Sequence, residues 1–399
     1  MSQSCTLIRR SGPSSVCEAA ERDRPMQRFV IQLIVGMIGG LACIQAAAAA
    51  PAWVEASDRD AQVLLDAIAR FSPEQATRWG LSAYDDQALD LQPGVNARYR
   101  TSLAAAREAL RRDRATELNP HVREDLDIMI RSADLRIEEL EMDERFLLPY
   151  VGVGRAVFQG ELVLLTDQVD PARRAAALPR LRRYTGLAPG STPLTDLARA
   201  RYEEKLRTPG LLPPFRGEVE QDLADNSRYL EGVRKLFAKY RISGGEEALA
   251  ALDRQLGVYA DWVRAAVLPQ ARTDPRLPVE LYAHNLRQIG LDLSPPDLIA
   301  RAELAFSEVT NELQSLAPLV ARERGWPETD YRAVIARLKR EQLANEEIEP
   351  YYRTVVIPRL EQMIREHRVA TLPDRPMVMR IASEAESALQ PAPHMDAPP

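Results

Sequence analysis

Four histidines, two runs of acids and one glycine-rich stretch are the places where this sequence could do chemistry. His121 stands in HVRED, His284 in YAHNLR, His367 in REHRV and His394 in PAPHMD. A zinc ion gripped from a helix wants two ligands at i and i+4, or a close variant, so that both point at one ion. The position that would complete an inverted motif after His121 holds Asp125, and no other histidine pair has the spacing. Each histidine is therefore expected as a packed or surface residue, and no metal ligand or catalytic residue is assigned. Glu346, Glu347 and Glu349 precede Pro350, and Glu384 and Glu386 follow Arg380. Two carboxylates divide acid and base work only when burial separates their pKa values, and acids in a run are expected as a solvated helix face. Gly152, Gly154 and Gly160 in GVGRAVFQG have neither the G-x-G-x-x-G spacing nor a P-loop lysine, which argues against a phosphate cradle. There is no G-x-S-x-G, and Ser383 has no histidine nearby, so a nucleophile elbow has no support.

The elements that would position these residues read as helices. Ala, Leu, Arg and Glu dominate, glycine is scarce at 19, and aromatics make up 6%. Apolar residues recur in steps of three or four from Val122 through Leu126, Met129, Ala133, Ile137 and Leu140, and again from Leu298 through Ala302, Ala305, Val309, Leu313 and Leu316. Both stripes predict helices with one buried face. Weaker helical patterns cover 58–70, 96–113, 172–185, 192–206, 216–239, 245–267, 277–288, 328–340 and 343–367, the last broken or kinked by Pro350 and Pro358. Ser72-Pro73, Asn119-Pro120, Asp170-Pro171 and Ser294-Pro295 each pair an oxygen-bearing cap with proline at the first helical position, and Ser72 with Gln75 has the spacing of a capping box. Val151–Leu165, with its glycines and β-branched residues, is the one stretch expected as a loop or short strand pair. No fixed repeat is visible. The fold class expected is all-α, a single multi-helix domain over 51–399.

Residues 1–50 are expected to be no part of that fold. Met26-Gln27-Arg28 leads into FVIQLIVGMIGGLACIQAAAAA, a basic start, an apolar run and a small-residue exit. This reads as a secretory signal cleaved near Ala48 to Ala50, with Met26 as the true start and a periplasmic or secreted product. Lipidation at Cys43 is the minor alternative, because a lipoprotein site would want the large apolar residue, Leu41, one place earlier. Cys5, Cys17 and Cys43 all lie in this region, so the mature chain is expected to hold no disulfide and no thiolate metal site. A net charge of −6 and a pI near 5.6 argue against a nucleic-acid partner. Forty-eight of the 52 basic residues are arginine, a skew read as coding bias rather than as an anion site. Pro391, Pro393, Pro398 and Pro399 make 391–399 unsuited to regular structure.

Six runs together resemble the N-terminal half of the bacterial "domain of unknown function 885" family. They are GLSAYDD at 80–86, LLPYVGVGRAVFQG at 147–160, PARRAAALPRLRRYTGL at 171–187, YAHNLRQIGLDLSPPDLIARAE at 282–303, ANEEIEPYY at 344–352 and RIASEAESALQPAPHM at 380–395. The resemblance implies a helical fold distantly related to carboxypeptidase Taq-type metallopeptidases. In that family a later helix carries H-E-x-x-P-G-H, whose residues resemble zincin ligands and a general base. That pattern does not occur here. The chain is therefore expected to be an incomplete, catalytically silent portion of such a fold. Zinc is implied for full-length relatives and no cofactor for this chain. The expected partners are a peptide or the missing C-terminal half. Arg380, Glu384 and His394 lie in the run that leads toward the family's active site and are expected to line or brace the cleft. The alternative is a complete, non-catalytic exported binding protein.

Overall fold

The computed structural model describes residues 51–373, 377 and 379–392. Among the described residues the chain is all-α; the only extended pairings are two isolated bridges, Leu147 with Leu212 and Phe215 with Arg272. Helix α1 spans Ala52–Ala69, α2 Pro73–Arg78, α3 Val95–Thr116 and α4 Pro120–Phe146. Then come α5 Val153–Leu162, α6 Pro171–Arg174, α7 Ala177–Tyr184, α8 Leu194–Lys205, α9 Arg216–Lys239 and α10 Glu246–Trp262. The last group is α11 Val279–Gln288, α12 Pro295–Arg324, α13 Tyr331–Leu338, α14 Asn345–Tyr351, α15 Ile357–His367 and α16 Glu384–Leu389.

The cap-and-proline grammar works at three of its four sites. The side chains of Asn119, Asp170 and Ser294 accept from the backbone N–H of His121, Ala172 and Asp297, each satisfying a donor that the first helical turn leaves free. Ser72 makes no such bond, so the capping box expected there does not form. Pro350 stands inside α14, and a π-helical turn over Tyr352–Val356 joins it to α15, so the expected break takes the form of a π-bulge.

The stripe from Val122 is buried as expected: Val122, Leu126 and Ala133 of α4 meet Leu103 and Leu110 of α3 and Leu64 and Ile68 of α1 in one apolar cluster. A larger cluster gathers α5, α7, α8, α9 and α10 around Phe158, Tyr184, Tyr202, Val219, Tyr229, Val233, Phe237 and Leu252, and the short α16 reaches it through Ala385.

Two further expectations fail. Val151–Leu165 is not a loop or strand pair but contains α5, because its glycines serve close packing rather than turning. The stripe from Leu298 does form a helix, yet its apolar face is not buried. Phe306, Val309 and Leu316 on this face of α12 are 71%, 53% and 50% exposed, and Leu304 on the opposite side is 62% exposed. Only the C-terminal part of α12 packs, through Ala317, Ala321 and Val320 against Val334, Trp326 and Tyr331.

This division makes a stability contrast. Leu126 is fully buried, so Leu126→Ala is expected to cost about 2–5 kcal/mol through lost burial and a residual cavity. Phe306→Ser, at an exposed site, is expected to stay within ~0.5 kcal/mol in dilute solution. Urea titration followed by circular dichroism reads both.

Candidate functional site

The densest functional-looking geometry lies where α5 crosses α9. Gly152 and Gly154 face α9 with no room for a side chain: a Cβ at 152 would stand 2.2 Å from Asp222 Oδ2, and one at 154 would stand 2.3 Å from Asn226 Oδ1. The backbone thus lies directly on the polar side chains of α9 and seals them. Asp222 is 5% exposed and Asp225 fully buried. Arg155, one residue past Gly154, reaches over the seam. Its Nη2 donates to Glu218 Oε1 at 3.0 Å and to Asp222 Oδ2 at 3.1 Å, and its Nε lies 3.1 Å from Asp222 Oδ1. The second acid, Asp225, accepts from Gln221 Nε2 and Arg228 Nη1, each at 2.5 Å. Tyr259 of α10 donates its phenol proton to the Val151 carbonyl at 2.9 Å, which holds the entry to α5 against α10.

Burial dominates the titration of these groups. It pushes the Asp222 carboxyl up, against the pull of Arg155, and Glu218 adds to the rise. The Tyr150 and Tyr259 phenols are also pushed up, first by burial and then by the Asp222 charge. Asp222 and the Tyr259 phenol are committed to internal contacts, which leaves the Arg155 guanidinium and the Glu218 carboxylate to meet a charged or polar end of a ligand. The half-exposed Arg155 and Glu218 are the solvent-facing members of the set.

A second polar assembly braces the same helix from behind. Arg180 of α7 is fully buried; its Nη1 donates to the Gly160 carbonyl at 2.7 Å, and its Nη2 to Thr77 Oγ1 at 2.6 Å and the Tyr84 carbonyl at 3.0 Å. The Tyr184 phenol donates to Glu74 Oε1 at 2.5 Å, and Arg173 grips Asp85 at 2.7 and 3.0 Å. Glu161, fully buried beside them with neither oxygen hydrogen-bonded, has its carboxyl raised well above the usual range by burial.

The expected site residues sit as follows. Arg380 pairs with Glu386 at 2.9 and 2.5 Å, and Ser383 and Glu386 close a capping box at the start of α16. Glu384, the first residue of α16, is exposed. His394 lies outside the described residues. The segment docks on α9 where Gly232 leaves space: a Cβ there would stand 2.6 Å from Ala385 Cβ and from Phe158 Cε2. His121 lies beside the Trp53 ring at 4.9 Å between centroids, and His367 is exposed. His284 is fully buried, with Nδ1 3.3 Å from Glu138 Oε2, and Arg287 also pairs with Glu138, which ties α11 to α4. Among the described residues no group of three or more His, Cys, Asp or Glu is placed to hold a metal ion, and no helix is long and apolar enough to cross a membrane. A surface depression of about 570 Å³ between α3 and α4 is lined by Arg114, Arg123, Asp127 and Arg131, but Arg114 already pairs with Asp127 at 2.8 and 2.9 Å.

Tyr150, Arg155, Glu218 and Asp222 were not singled out by sequence. Their one local signal is the pair of glycines in YVGVGR, which marks close backbone approach as readily as a turn.

An all-α body whose central helix is crossed by a glycine-faced partner and overlaid by a short terminal helix is the class this structure defines. The chain belongs to the family described as "Bacterial protein of unknown function (DUF885)", which matches residues 73–399. No curated protein and no solved structure matches the chain.

Two measurements probe the seam and its acids. Gly152→Ala is expected to cost about 1–3 kcal/mol by overpacking, and most of that penalty should vanish in an Asp222→Ala background, a coupling that a double-mutant cycle reads directly. On α4, burial, aided by Glu139 and opposed by His284, pushes the Asp143 carboxyl up to about 6. An acid with a raised folded-state pKa holds its proton more tightly when folded. Stability should therefore fall as pH rises from about 4 to about 6 and stay low above that. Asp143→Asn should be near neutral at pH 4 and stabilising by ~2 kcal/mol at pH 7, as followed by thermal melts across that range.

Proposed function

We propose that this chain is the non-catalytic helical portion of a metallopeptidase-like hydrolase, exported to the periplasm or medium, which supplies a wall of the substrate cleft rather than the reacting groups. The observation that carries this reading is the docking of the Arg380–Gln390 run onto α9 through Ala385 and Gly232. That run is the one that leads toward the active-site portion in the family the sequence resembles. Its seat lies on the same helix as Asp222 and Glu218, and Arg155 crosses to both acids from α5. On this reading the exposed edge of the α5–α9 seam offers a peptide a guanidinium and a carboxylate, while zinc chemistry belongs to a separate portion of the fold. Export rests on the basic start, the apolar run and the alanine-rich exit before Pro51.

The test is a peptidase assay of the purified protein over a mixed peptide library with added Zn²⁺. The expected result is no metal-dependent cleavage; cleavage that a chelator abolishes and Zn²⁺ restores would refute the reading. Edman sequencing of the exported product should begin near Pro51.

A second reading, a complete non-catalytic binding protein, is favoured by the filled core around Tyr229 and Phe158. A single cooperative melt in a monodisperse sample, with no gain in stability from added C-terminal family sequence, would select it over the first.

A further inference from the structure

The seat of α16 on α9 differs from the α5–α9 seam in one respect: it is wholly apolar. Ala385 is the one buried residue of α16. Ala388 and Leu389, three and four places on, are partly buried against the same cluster. These three share one face of the helix, the i, i+3, i+4 set by which a short helix lies in an apolar groove. The groove exists because position 232 has no side chain. A Cβ there would stand 2.6 Å from Ala385 Cβ and 2.6 Å from Phe158 Cε2, so α16 rests on bare α9 backbone beside the Phe158 ring. Among the described residues no hydrogen bond or ion pair joins α16 to α9 or α5; those of Glu386 close within the segment. The Ser383 N–H donates to Glu386 Oε2 at 2.8 Å, the Glu386 N–H donates to Ser383 Oγ at 3.3 Å, and Arg380 pairs with both Glu386 oxygens. The helix carries its own N-terminal cap and meets the body only through its apolar face.

We propose that the groove at Gly232 and Phe158 is an exchangeable helix-docking site and that residues 380–390 are its tethered ligand. The segment lifts as a unit while the body stays folded, and the emptied groove accepts the same segment supplied from outside. Three observations carry this. The contact is small, one buried side chain and two partly buried ones, and segments with few buried apolar contacts open at the low end of a protein's local stabilities. The helix start is self-capped, so no polar group is stranded on the body when the segment leaves. The segment is also separable along the chain: positions 368–383 lie between α15 and α16, and no helix forms among the described ones. A tether of that length reaches up to roughly 50 Å and holds the segment at an effective concentration on the order of millimolar. The bond from Arg353 to the Met379 carbonyl secures this tether and can persist while α16 lifts. The groove also defines what it takes. A small residue is needed where Ala385 sits, because a larger side chain meets the α9 backbone, and apolar residues are needed three and four places later. An extended peptide does not suit it, since a groove with no strand edge leaves that peptide's backbone groups unpaired. The proposal does not rest on the peptidase reading.

The experiment uses the full chain and a fluorescein-labelled synthetic peptide of residues 380–392. In the wild-type chain, hydrogen exchange of 380–390 read by mass spectrometry is expected to outpace that of Tyr229–Val233 in α9 by about a hundredfold, with little dependence on low urea, because the opening is local. Two variants open the groove: Ala385→Arg at its centre and, more mildly, Leu389→Asp at its rim. Both are expected to keep the helicity and the cooperative melt of the body. By fluorescence anisotropy the peptide should bind the open chains saturably and the wild-type chain about tenfold more weakly, because the tethered copy competes. A peptide that itself carries Ala385→Arg should bind none of them. Exchange of 380–390 only through global unfolding, failure of both open chains to fold, no saturable binding to an open chain that folds, or equal binding to open and wild-type chains overturns the proposal.

Discussion

Helix α9 can lie against α5 only because two α5-side positions carry no side chain. Any Cβ at Gly152 would displace the Asp222 carboxylate, and one at Gly154 would displace the Asn226 amide. From this constraint much of the core follows. Asp222 lies under the side-chain-free Gly152 with Arg155 as its polar partner, and Asp225 is satisfied along its own helix by Gln221 and Arg228, so both acids can be buried at all. Arg155 then sits within reach of both Glu218 and Asp222. One turn of α5 further on, Phe158 stacks on Tyr229 at 5.8 Å and touches the open face at Gly232, where α16 lands. Polar head, aromatic middle and terminal strap share one helix.

The buried guanidinium of Arg180 imposes order of another kind. A charge without exposure is costly unless every donor finds a partner, and removing one partner costs more than the pair contributes. Arg180 satisfies both terminal nitrogens, Nη2 on Thr77 and Tyr84 and Nη1 on Gly160, while its Nε is left without a hydrogen-bond partner. These contacts join α2 and the turn after it to α5 through a residue of α7, elements far apart in the chain. Glu161 sits alongside, its carboxyl raised well above the usual range by burial and drawn back by the Arg180 charge. The register of α5 against its neighbours is thereby fixed from two sides, by missing side chains on the α9 face and by hydrogen bonds on the α7 face.

Much of this fold was legible in the sequence, and the failures are instructive. Helices α3, α4, α9 and α12 follow the apolar periodicity closely, because a 3.6-residue repeat has few other outcomes over twenty residues. Asn119, Asp170 and Ser294 cap as their types demand, whereas Ser72 does not, since its φ of −134° and ψ of 64° lie away from the usual capping geometry. The stretch containing α5 was misread because glycine is ambiguous: it permits turns and it permits close packing, and only the partner helix decides. Periodicity also could not say whether the α12 stripe faces this chain or something else. The candidate site was the least legible part. Arg155 and Asp222 are 67 positions apart, and neither stands in a pattern that chemistry alone would pick out.

Five of the six runs that carry the family resemblance turn out to be joints; ANEEIEPYY at 344–352 is largely exposed. GLSAYDD supplies the Tyr84 carbonyl to Arg180 and Asp85 to Arg173; YVGVGRAVFQG supplies the glycines and Arg155; PARRAAALPRLRRYTGL supplies Arg173, Arg180 and Tyr184. YAHNLRQ supplies the buried His284 and Arg287 that bind α11 to Glu138 of α4, and RIASEAES supplies the strap on α9. Residues at such joints are constrained by several neighbours at once. Sealed acids and close-packed glycines tolerate few replacements, so a family can be recognised from its joints while saying little about the reaction. That is why membership in this family specifies how the helices meet far more firmly than it specifies what they act on, and why the half-exposed pair of Arg155 and Glu218, at the edge of the best-specified joint, is where chemistry is most usefully sought.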